Sequence, residues 1–404
     1  MNVERVAFIS FHTCPLAAPG QGKAGGMNVY VRQLAQSLGD LGIEVDIFTR
    51  NHVGLTSQVE QISPNVRVVH LPGGDPQAPL EDLFSSLPEF LQALQDFQGE
   101  NQLTYQVVHS HYWLSGWTGR ALAQGLRLPH VVTFHTLSLI KMQARVGEAE
   151  PLQRQQVERE LLASADAIVA FSPHERNAMV QLYSADSSRI KLVTPGVDLS
   201  LFRPLDVREA RQRLGLNGEK VLLYVGRVEP LKGLELLLRA AAYLETCKGV
   251  RVLVVGGDPE RDQEIDRLRH LAQDLKLDDV FSFVGRVDQD DLPTYYNAAD
   301  VCVFPSYYES FGLAALESMA CGTPVVASRV GGLPTIVQHG HTGYLKSWRC
   351  PEAFANALEM ILSSSGLQRS MGLAARRRAE CMGWDKVATK IARVYDALVD
   401  GASR

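Results

Sequence analysis

The fold is decided by the stretch Phe304-Pro305-Ser306-Tyr307-Tyr308-Glu309-Ser310-Phe311-Gly312-Leu313-Ala314-Ala315-Leu316-Glu317. The apolar run Val301–Phe304 at its start predicts a short buried strand, and a turn follows at Pro305-Ser306. A helix is predicted to begin near Gly312. The stretch therefore indicates a strand–loop–helix unit of an α/β fold.

The same stretch indicates two kinds of ligand chemistry. Backbone amides at Phe311, Gly312 and Leu313 would face outward from the helix start, where the helix dipole attracts anions. Glu309 and Glu317 would accept hydrogen bonds from vicinal hydroxyls. A nucleotide-sugar offers both a diphosphate and hydroxyls. A capped helix with two solvated glutamates fits these residues equally well, and the stretch alone does not decide between this interpretation and a nucleotide-sugar site.

Composition restricts the classes of protein. The chain has 404 residues, enough for two or three domains, and is 46% hydrophobic and 21% charged, as soluble globular proteins are. Its net charge is −5, and no basic tract stands out beyond Arg376-Arg377-Arg378. We therefore predict no nucleic-acid partner.

The longest apolar runs fall well short of the roughly 20 residues that span a bilayer. The N-terminus lacks the pattern of a signal peptide. Six cysteines are scattered without CxxC pairs, which argues against a disulfide framework and against a zinc site. We expect a cytoplasmic protein with no transmembrane segment and no metal site.

Strand and helix patterns alternate along the chain in two series. The first runs from Val3–Ser10 to Ile190–Val193 and includes a weak helix at Leu80–Leu94 and a loop at His111–Ser115. The second begins at Val221–Val225. Thr194-Pro195-Gly196-Val197-Asp198 interrupts the rhythm and marks a domain boundary. Such alternation predicts two doubly wound, Rossmann-like α/β domains that face each other across a cleft. We assign residues 1–196 and 197–383 to them, and Trp384–Val399 forms a last amphipathic helix.

A glycine-rich loop contains a literal GxGxxG in Gly20-Gln21-Gly22-Lys23-Ala24-Gly25-Gly26. In a dinucleotide-binding fold the glycines follow the strand directly, whereas Phe11–Pro19 intervenes here. The pattern therefore favours a flexible loop in which Gly25 and Gly26 let the backbone approach a phosphate. A nicotinamide-dependent oxidoreductase stays as an alternative.

Two cations follow the first strand of the second domain, Arg227 and Lys232 in Val225-Gly226-Arg227-Val228-Glu229-Pro230-Leu231-Lys232-Gly233. Cations at a strand end suit a diphosphate, whose charge grows when its bond to a sugar breaks. An ordinary loop with solvated basic residues is the alternative. Gly285-Arg286 repeats the strand-end pattern, so Arg286 is a further candidate.

Candidates in the first domain also sit near strand ends. His135 follows the strand Val131–Thr133 and would either donate to a sugar hydroxyl or be an ordinary core histidine. His12, Lys141 and Arg154 would form a cationic pocket, although such dispersed charges are more typical of a surface. No Ser-His-Asp order and no metal-ligand spacing is found in the sequence.

With these motifs placed, the whole chain resembles the retaining glycosyltransferases of the GT-B fold, family 4. The most specific marks are Glu309 and Glu317 in ESFGLAALE, Arg227 with Lys232, and the TPGVD segment. The resemblance implies that Arg227 and Lys232 hold the donor diphosphate, Glu317 the ribose, and Glu309 and His135 the donor sugar. Together with the strand-end pattern it gives the donor set Gly25, Gly26, His135, Arg227, Lys232, Arg286, Glu309, Phe311, Gly312, Leu313 and Glu317.

Within this family, HTCPLAAPGQGKAGGMNVYV and HSHYWLSG resemble the D-inositol 3-phosphate N-acetylglucosaminyltransferases, and sucrose-phosphate synthases share the layout. Both branches use a phosphorylated acceptor. The resemblance implies the acceptor set His12, Asn28, Tyr112, Thr136, Lys141 and Arg154. The chain departs from the inositol branch at Lys23, where that branch has aspartate, and at residues 79–82, which lack its lysine. Lys23 is added to the acceptor set as a compensating cation.

We therefore expect a retaining hexosyltransferase that uses a UDP-sugar, UDP-glucose or UDP-N-acetylglucosamine. Its acceptor would be fructose 6-phosphate or inositol 3-phosphate, bound by residues 1–196 with the helix 384–404 packed back on them. Residues 197–383 would bind the nucleotide-sugar. No cofactor or metal is expected, because two cations and a helix end supply the positive charge. A nucleotide-sugar epimerase or hydrolase of the same fold, and a non-catalytic nucleotide sensor, stay open.

Overall fold

The structure, a computed structural model, describes residues 2–17, 25–144, 147–244, 249–347 and 350–402. The chain forms two compact units, Met1–Pro195 with Trp384–Arg404, and Gly196–Gly383. Each unit is built on its own sheet. Across the described ranges, no helix has the length and apolar content needed to cross a membrane.

The first unit is a sheet covered by helices. Its strands are β1 (Arg5–Ile9), β2 (Glu44–Arg50), β3 (Val59–Ser63), β4 (Val66–Leu71), β5 (Val107–His111), β6 (His130–Thr133), β7 (Ala167–Ala170) and β8 (Ile190–Leu192). Its helices before residue 196 are α1 (Gly26–Asp40), α2 (Leu87–Glu100), α3 (Trp113–Leu126), α4 (Ser138–Ala144), α5 (Leu152–Ser164) and α6 (Pro173–Tyr183). The strand order, for the described residues, is β3-β4-β2-β1-β5-β6-β7-β8.

All neighbouring strands of this sheet are parallel except β3, which is antiparallel to β4 at the edge. The inner strands are buried on both faces and therefore read as apolar runs. The sequence did not predict β3, because Val59-Glu60-Gln61-Ile62-Ser63 is half exposed and has only two apolar residues. An edge strand of this kind carries little periodic signal.

The second unit has a fully parallel sheet. Its strands are β9 (Lys220–Val225), β10 (Val250–Val255), β11 (Phe281–Gly285), β12 (Val301–Phe304), β13 (Val325–Ser328) and β14 (Gly343–Lys346). Its helices are α7 (Val207–Arg213), α8 (Leu234–Ala241), α9 (Gln263–Asp274), α10 (Leu292–Ala298), α11 (Leu313–Ala320), α12 (Leu333–Ile336), α13 (Pro351–Leu362) and α14 (Ser365–Ala379). The described strands lie in the order β11-β10-β9-β12-β13-β14, so β9 and β12 are neighbours.

Several boundaries differ from those expected. The loop predicted at His111–Ser115 is wrong: β5 includes His111, and α3 begins at Trp113 after a turn at Tyr112. The helix predicted at Leu80–Leu94 is a 3-10 turn, Leu80–Ser86, followed by α2. The sequence missed α4, α7, α12, β14 and α14, most of which are short or weakly amphipathic. The strand and helix of the opening stretch, β12 and α11, are confirmed.

A last helix, α15 (Trp384–Ala402), belongs to the first unit and packs on α1. Trp384 meets the ring of Tyr30 edge to face, with centroids 5.5 Å apart. Tyr395 is fully buried, and its hydroxyl lies 2.6 Å from Nδ1 of His109 on β5. Nε2 of His109 lies 2.8 Å from Thr133 Oγ1, so both ring nitrogens have partners inside the core.

Replacing Tyr395 by phenylalanine should lower the free energy of unfolding by about 1–3 kcal/mol, because it leaves a buried nitrogen of His109 without a partner. Urea denaturation followed by circular dichroism measures this. Tyr243→Phe, at a ring that is 49% exposed, is the control and should change stability by less than about 0.5 kcal/mol. Equal effects at the two positions would show that the His109 contact does not stabilise the unit.

Candidate functional site

The neighbouring strands β9 and β12 bring two of the predicted residues together. Lys232 follows β9 and Glu309 follows β12, and Lys232 Nζ lies 2.7 Å from Glu309 Oε2. Both side chains are mostly covered, at 19% and 16% exposure. Since carboxyl ends of parallel strands share one sheet edge, this contact follows from strand order.

The loop that carries Glu309 is fixed by close backbone contacts. Tyr307 donates its amide hydrogen to the carbonyl of Leu231, at 2.8 Å. Gly331 has φ of +52°, and a Cβ there would lie 1.6 Å from the Glu309 carbonyl oxygen. At Gly332 a Cβ would lie 2.5 Å from the Cα of Phe311. The two glycines therefore allow α12 to approach the loop more closely than any side chain would permit.

The helix start next to this loop is also as predicted. Gly312 caps α11 with φ of +101° and offers no side-chain oxygen to the first-turn amides. Phe311 is buried and anchors the loop, while Leu313 begins the helix. The helix dipole and uncapped amides give this end of α11 a partial positive charge.

Glu317 lies within α11 and is 9% exposed. Tyr296 donates its hydroxyl hydrogen to Glu317 Oε2 at 2.8 Å. Burial raises the pKa of Glu317 to about 7, against the opposing effect of that hydrogen bond. The carboxyl group is therefore shared between its protonated and ionised forms near neutral pH.

The two arginines of the donor set are placed differently. Arg227 follows β9, and its Nη1 pairs with Glu229 Oε1 at 2.6 Å. Arg286 follows the edge strand β11, with β10 and β9 between it and β12. That spacing puts its strand roughly 14 Å from the one that precedes Glu309. The structure therefore groups Lys232 with Glu309 and leaves Arg286 at the far end of the same sheet edge.

Four residues of the acceptor set lie together in the first unit. The rings of His12 and Tyr112 are 4.5 Å apart, and the guanidinium of Arg154 lies 5.0 Å from the centre of the Tyr112 ring. Arg154 Nη2 donates to the carbonyl and the hydroxyl of Thr136, at 3.0 and 2.9 Å. The expectation that Arg154 is a surface charge is wrong, since it is only 4% exposed.

Two carboxylates that the sequence analysis missed neutralise this cluster. Glu150 accepts from Lys141 Nζ at 2.6 Å and from Arg154 Nη1 at 2.8 Å. Glu158, fully buried, accepts from Arg154 Nε at 2.7 Å and from the Tyr183 hydroxyl at 2.6 Å. Both glutamates are four residues from Arg154, but only Glu158 shares α5 with it, where that spacing favours pairing, whereas Glu150 precedes the helix.

His12 does not add positive charge to this cluster. Burial, helped by the positive charges of Arg154 and Arg50, lowers the pKa of His12 to about 3. The imidazole is therefore neutral at physiological pH. The expected cationic pocket is corrected to two cations, Lys141 and Arg154, held by Glu150 and Glu158.

His135 and Tyr112 adopt strained backbones. Their φ angles are +62° and +80°, in a backbone region that residues other than glycine rarely occupy. Strain of this kind concentrates at functional sites. His135 Nε2 lies 3.1 Å from His111 Nδ1, and burial lowers the pKa of His135 to about 3, with a smaller effect from His12. If His111 Nδ1 carries the hydrogen and donates it, His135 Nδ1 carries the other and is free to donate.

The glycine-rich loop is only partly described, and Lys23 lies outside the described residues. Gly25 caps α1, and Gly26 begins it. Asn28 accepts from the Gly25 amide at 3.0 Å and donates to the Cys14 carbonyl at 2.6 Å. The side chain of Asn28 therefore ties the start of α1 to the segment after β1.

Gly331→Ala should displace the Glu309 loop and lower the free energy of unfolding by about 1–3 kcal/mol more than Gly340→Ala does. Both glycines have positive φ, but a Cβ at Gly340 would meet nothing within 4 Å. The pair therefore separates backbone strain from the clash with the Glu309 carbonyl. Urea denaturation of both variants measures the difference, and equal losses would contradict the close approach.

Comparison with known proteins identifies both halves of the chain. Residues 25–196 match the family "Glycosyl transferase 4-like domain", and residues 206–378 match "Glycosyl transferases group 1". A protein of Catenulispora acidiphila named D-inositol 3-phosphate glycosyltransferase 2 is 41% identical, over 98% of this chain and 95% of its own length. One of Acidothermus cellulolyticus, named D-inositol 3-phosphate glycosyltransferase, is 42% identical over 98% and 91%.

Among solved structures, sucrose-phosphate synthase from Thermosynechococcus elongatus is 38% identical, with a TM-score of 0.91 over 98% of this chain and 100% of that chain. These matches confirm the predicted GT-B fold and family and favour them over a nicotinamide-dependent oxidoreductase. The chain therefore belongs to the group 1 glycosyltransferases of the GT-B fold and is an enzyme that transfers glycosyl groups.

Proposed function

We propose that this enzyme moves a hexosyl group from a UDP-sugar to a small phosphorylated acceptor, with retention of anomeric configuration, and that the acceptor is fructose 6-phosphate. The contact that carries the proposal is the ion pair of Lys232 and Glu309 beside the start of α11. It combines a cation, a carboxylate and a helix N-terminus, the groups that a diphosphate and a sugar require together.

Lys232 and Arg227 would hold the donor diphosphate. Each is already beside a carboxylate, Glu309 and Glu229, which orients the cation before the donor arrives. As the bond between sugar and diphosphate breaks, negative charge grows on the leaving oxygen. Preorganised cations and the α11 dipole stabilise that charge without rearrangement, which lowers the barrier.

Glu317 would bind the ribose hydroxyls of the donor. Tyr296 occupies Oε2, so Oε1 is left for a hydroxyl. Glu309 would accept from a hydroxyl of the transferred sugar, and His135 would donate to another through Nδ1. These roles use His135 in its neutral form and Glu317 in its ionised form, which its pKa of about 7 makes available at or above neutral pH.

Retention would result from attack on the same face as the departing diphosphate. The acceptor hydroxyl would approach beside the leaving group, and a diphosphate oxygen would take its proton. A double displacement needs a carboxylate nucleophile, but Glu158, the fully buried carboxylate of this cluster, is paired with Arg154. This pairing supports the one-face mechanism.

The acceptor phosphate would bind where Glu150 now lies. Glu150 places its two oxygens 2.6 Å from Lys141 Nζ and 2.8 Å from Arg154 Nη1, as two phosphate oxygens would be. Arg154 also donates to the Thr136 hydroxyl and lies over the Tyr112 ring, so these two residues hold the guanidinium beside the proposed phosphate position. A phosphate dianion competes with the Glu150 carboxylate because it offers more charge and a third oxygen.

Fructose 6-phosphate is favoured by the two departures from the inositol branch, at Lys23 and at residues 79–82, and by the 38% identical sucrose-phosphate synthase. Inositol 3-phosphate is the second candidate, because relatives 41% and 42% identical carry it in their names. Both acceptors present a phosphate and a free hydroxyl, so Lys141 and Arg154 serve either.

A donor-by-acceptor screen tests the proposal. UDP-glucose and UDP-N-acetylglucosamine are each incubated with fructose 6-phosphate, inositol 3-phosphate, fructose or inositol, and products are read by mass spectrometry. We expect a phosphorylated disaccharide from UDP-glucose and fructose 6-phosphate and no product from the unphosphorylated acceptors. UDP release that does not depend on an acceptor would instead indicate a hydrolase.

Lys232→Ala should lower kcat/KM by about 100- to 1,000-fold, the usual effect of removing one group that stabilises transition-state charge. The loss comes mainly from kcat, since charge on the diphosphate grows as the bond breaks. Lys390→Ala, at an exposed lysine of α15, is the control and should keep the wild-type rate. A folded Lys232→Ala enzyme with near-normal transfer would refute the assignment.

Donor affinity should fall as pH drops below about 7, where Glu317 becomes protonated and accepts ribose hydroxyls less strongly. The dissociation constant of UDP should rise by up to about tenfold per pH unit on the acid side. Calorimetric titration measures it. Glu317→Gln should bind UDP more weakly and without the pH dependence that Glu317 causes. UDP itself also titrates in this range, and subtracting the pH profile of the variant from that of the wild type removes this contribution. Parallel pH profiles would exclude Glu317 from the ribose site.

A further inference from the structure

Three side chains of types that can ligate a metal ion lie together in the first unit, apart from the cluster of Arg154 and Glu150. They are Cys14, His52 and His70, and one ligand atom from each lies within 4.8 Å of the others. Cys14 follows β1, His52 follows β2, and His70 is near the end of β4. Since β4, β2 and β1 are consecutive parallel strands, the sheet itself gathers the three residues at one edge.

The separation of two of these groups fits a metal between them. Cys14 Sγ lies 3.4 Å from His70 Nε2. Zinc bonds of about 2.3 Å to sulfur and about 2.0–2.1 Å to nitrogen, at a tetrahedral angle, give a sulfur–nitrogen distance of about 3.5 Å. The pair therefore needs almost no movement to share an ion. Without an ion, the same contact is a thiol–imidazole hydrogen bond.

The remaining nitrogens of both histidines face groups that orient metal-bound imidazoles. His52 Nδ1 lies 3.1 Å from the carbonyl oxygen of Val53, so it carries the hydrogen and donates, and Nε2 is left with a lone pair. His70 Nδ1 lies 3.8 Å from Glu60 Oε1 and has no hydrogen bond from the described residues. A carbonyl and a carboxylate behind the ligating rings are the usual support of a metal site.

Access to the cluster suits a metal as well. His70 is fully buried, Cys14 is half-buried and His52 is exposed. One side is therefore fixed by the core, and the other is open to solvent for entry of an ion and a bound water. A cluster that served packing alone would not need the exposed imidazole.

We propose that Cys14, His52 and His70 bind Zn²⁺, with water as the fourth ligand. One thiolate and two imidazoles are ligands of intermediate softness, which zinc prefers over Mg²⁺ or Ca²⁺. The cysteine spacing in the sequence argued against a zinc site. That spacing cannot reveal this one, because its three ligands come from three separate segments of the chain. The ion has no part in the transfer chemistry proposed above.

Binding would fix the segment that leads into the glycine-rich loop. The carbonyl of Cys14 already accepts from Asn28, at the start of α1. An ion would tie the same residue to β2 and β4 as well. The site would therefore stabilise the first unit.

Cobalt is the probe, because Co²⁺ takes the same ligands and a thiolate–cobalt bond gives a charge-transfer absorption. The full chain, stripped of metal by a chelator, is titrated with Co²⁺ and then with Zn²⁺. We expect one equivalent of Co²⁺ with charge-transfer and tetrahedral d–d bands, and full loss of both on adding one equivalent of Zn²⁺.

Variants assign the spectrum to these residues. Cys14→Ser should abolish the charge-transfer band, and His52→Ala should weaken Zn²⁺ binding by at least about tenfold. Cys381→Ser, at an exposed thiol elsewhere, is the matched control and should behave as wild type. Circular dichroism checks folding, and because His52 is exposed its variant should fold normally. A charge-transfer band that persists in Cys14→Ser, or unchanged affinity in a folded His52→Ala protein, would overturn the proposal.

Discussion

The parallel pairing of β9 with β12 is the constraint on which the donor residues depend. Leu222 and Leu223 lie in register with Val301 and Cys302, all of them fully buried. This pairing makes the loops after the two strands neighbours, although Lys232 and Glu309 are 77 residues apart in sequence. The contact of α12 with the Glu309 loop then fixes the loop against the sheet edge. The ion pair is therefore held by backbone geometry, and its two side chains need little ordering when a ligand binds.

Burial decides the electrostatics of both units. In the first unit, it leaves His12 and His135 neutral, so the positive charge of the cluster around Glu150 comes from Lys141 and Arg154. Arg154 is stable inside the protein because Glu150, Glu158 and Thr136 satisfy its donors. In the second unit, burial moves the pKa of Glu317 into the neutral range. The same physical effect thus sets which groups carry charge around the proposed substrates.

Local sequence predicted the parts of the site that lie next to each other along the chain. The helix start at Gly312 could be predicted because an apolar strand and a turn come shortly before it in the sequence. By contrast, Glu150 and Glu158 were missed, because their role depends on the burial of Arg154, which charge spacing does not report. The cluster of Cys14, His52 and His70 was missed for a related reason, since three segments contribute one ligand each.

The sequence by itself determined the alternation of strands and helices, the family, and the residue types that suit a diphosphate and a phosphorylated acceptor. It did so because apolar periodicity and strand-end glycines and cations are local properties. Only the tertiary structure decided which of these residues meet: Lys232 with Glu309, Arg154 with Glu150, and His70 with Cys14. Those contacts depend on strand order and burial, which arise when distant segments pack together, and no short stretch of sequence contains them.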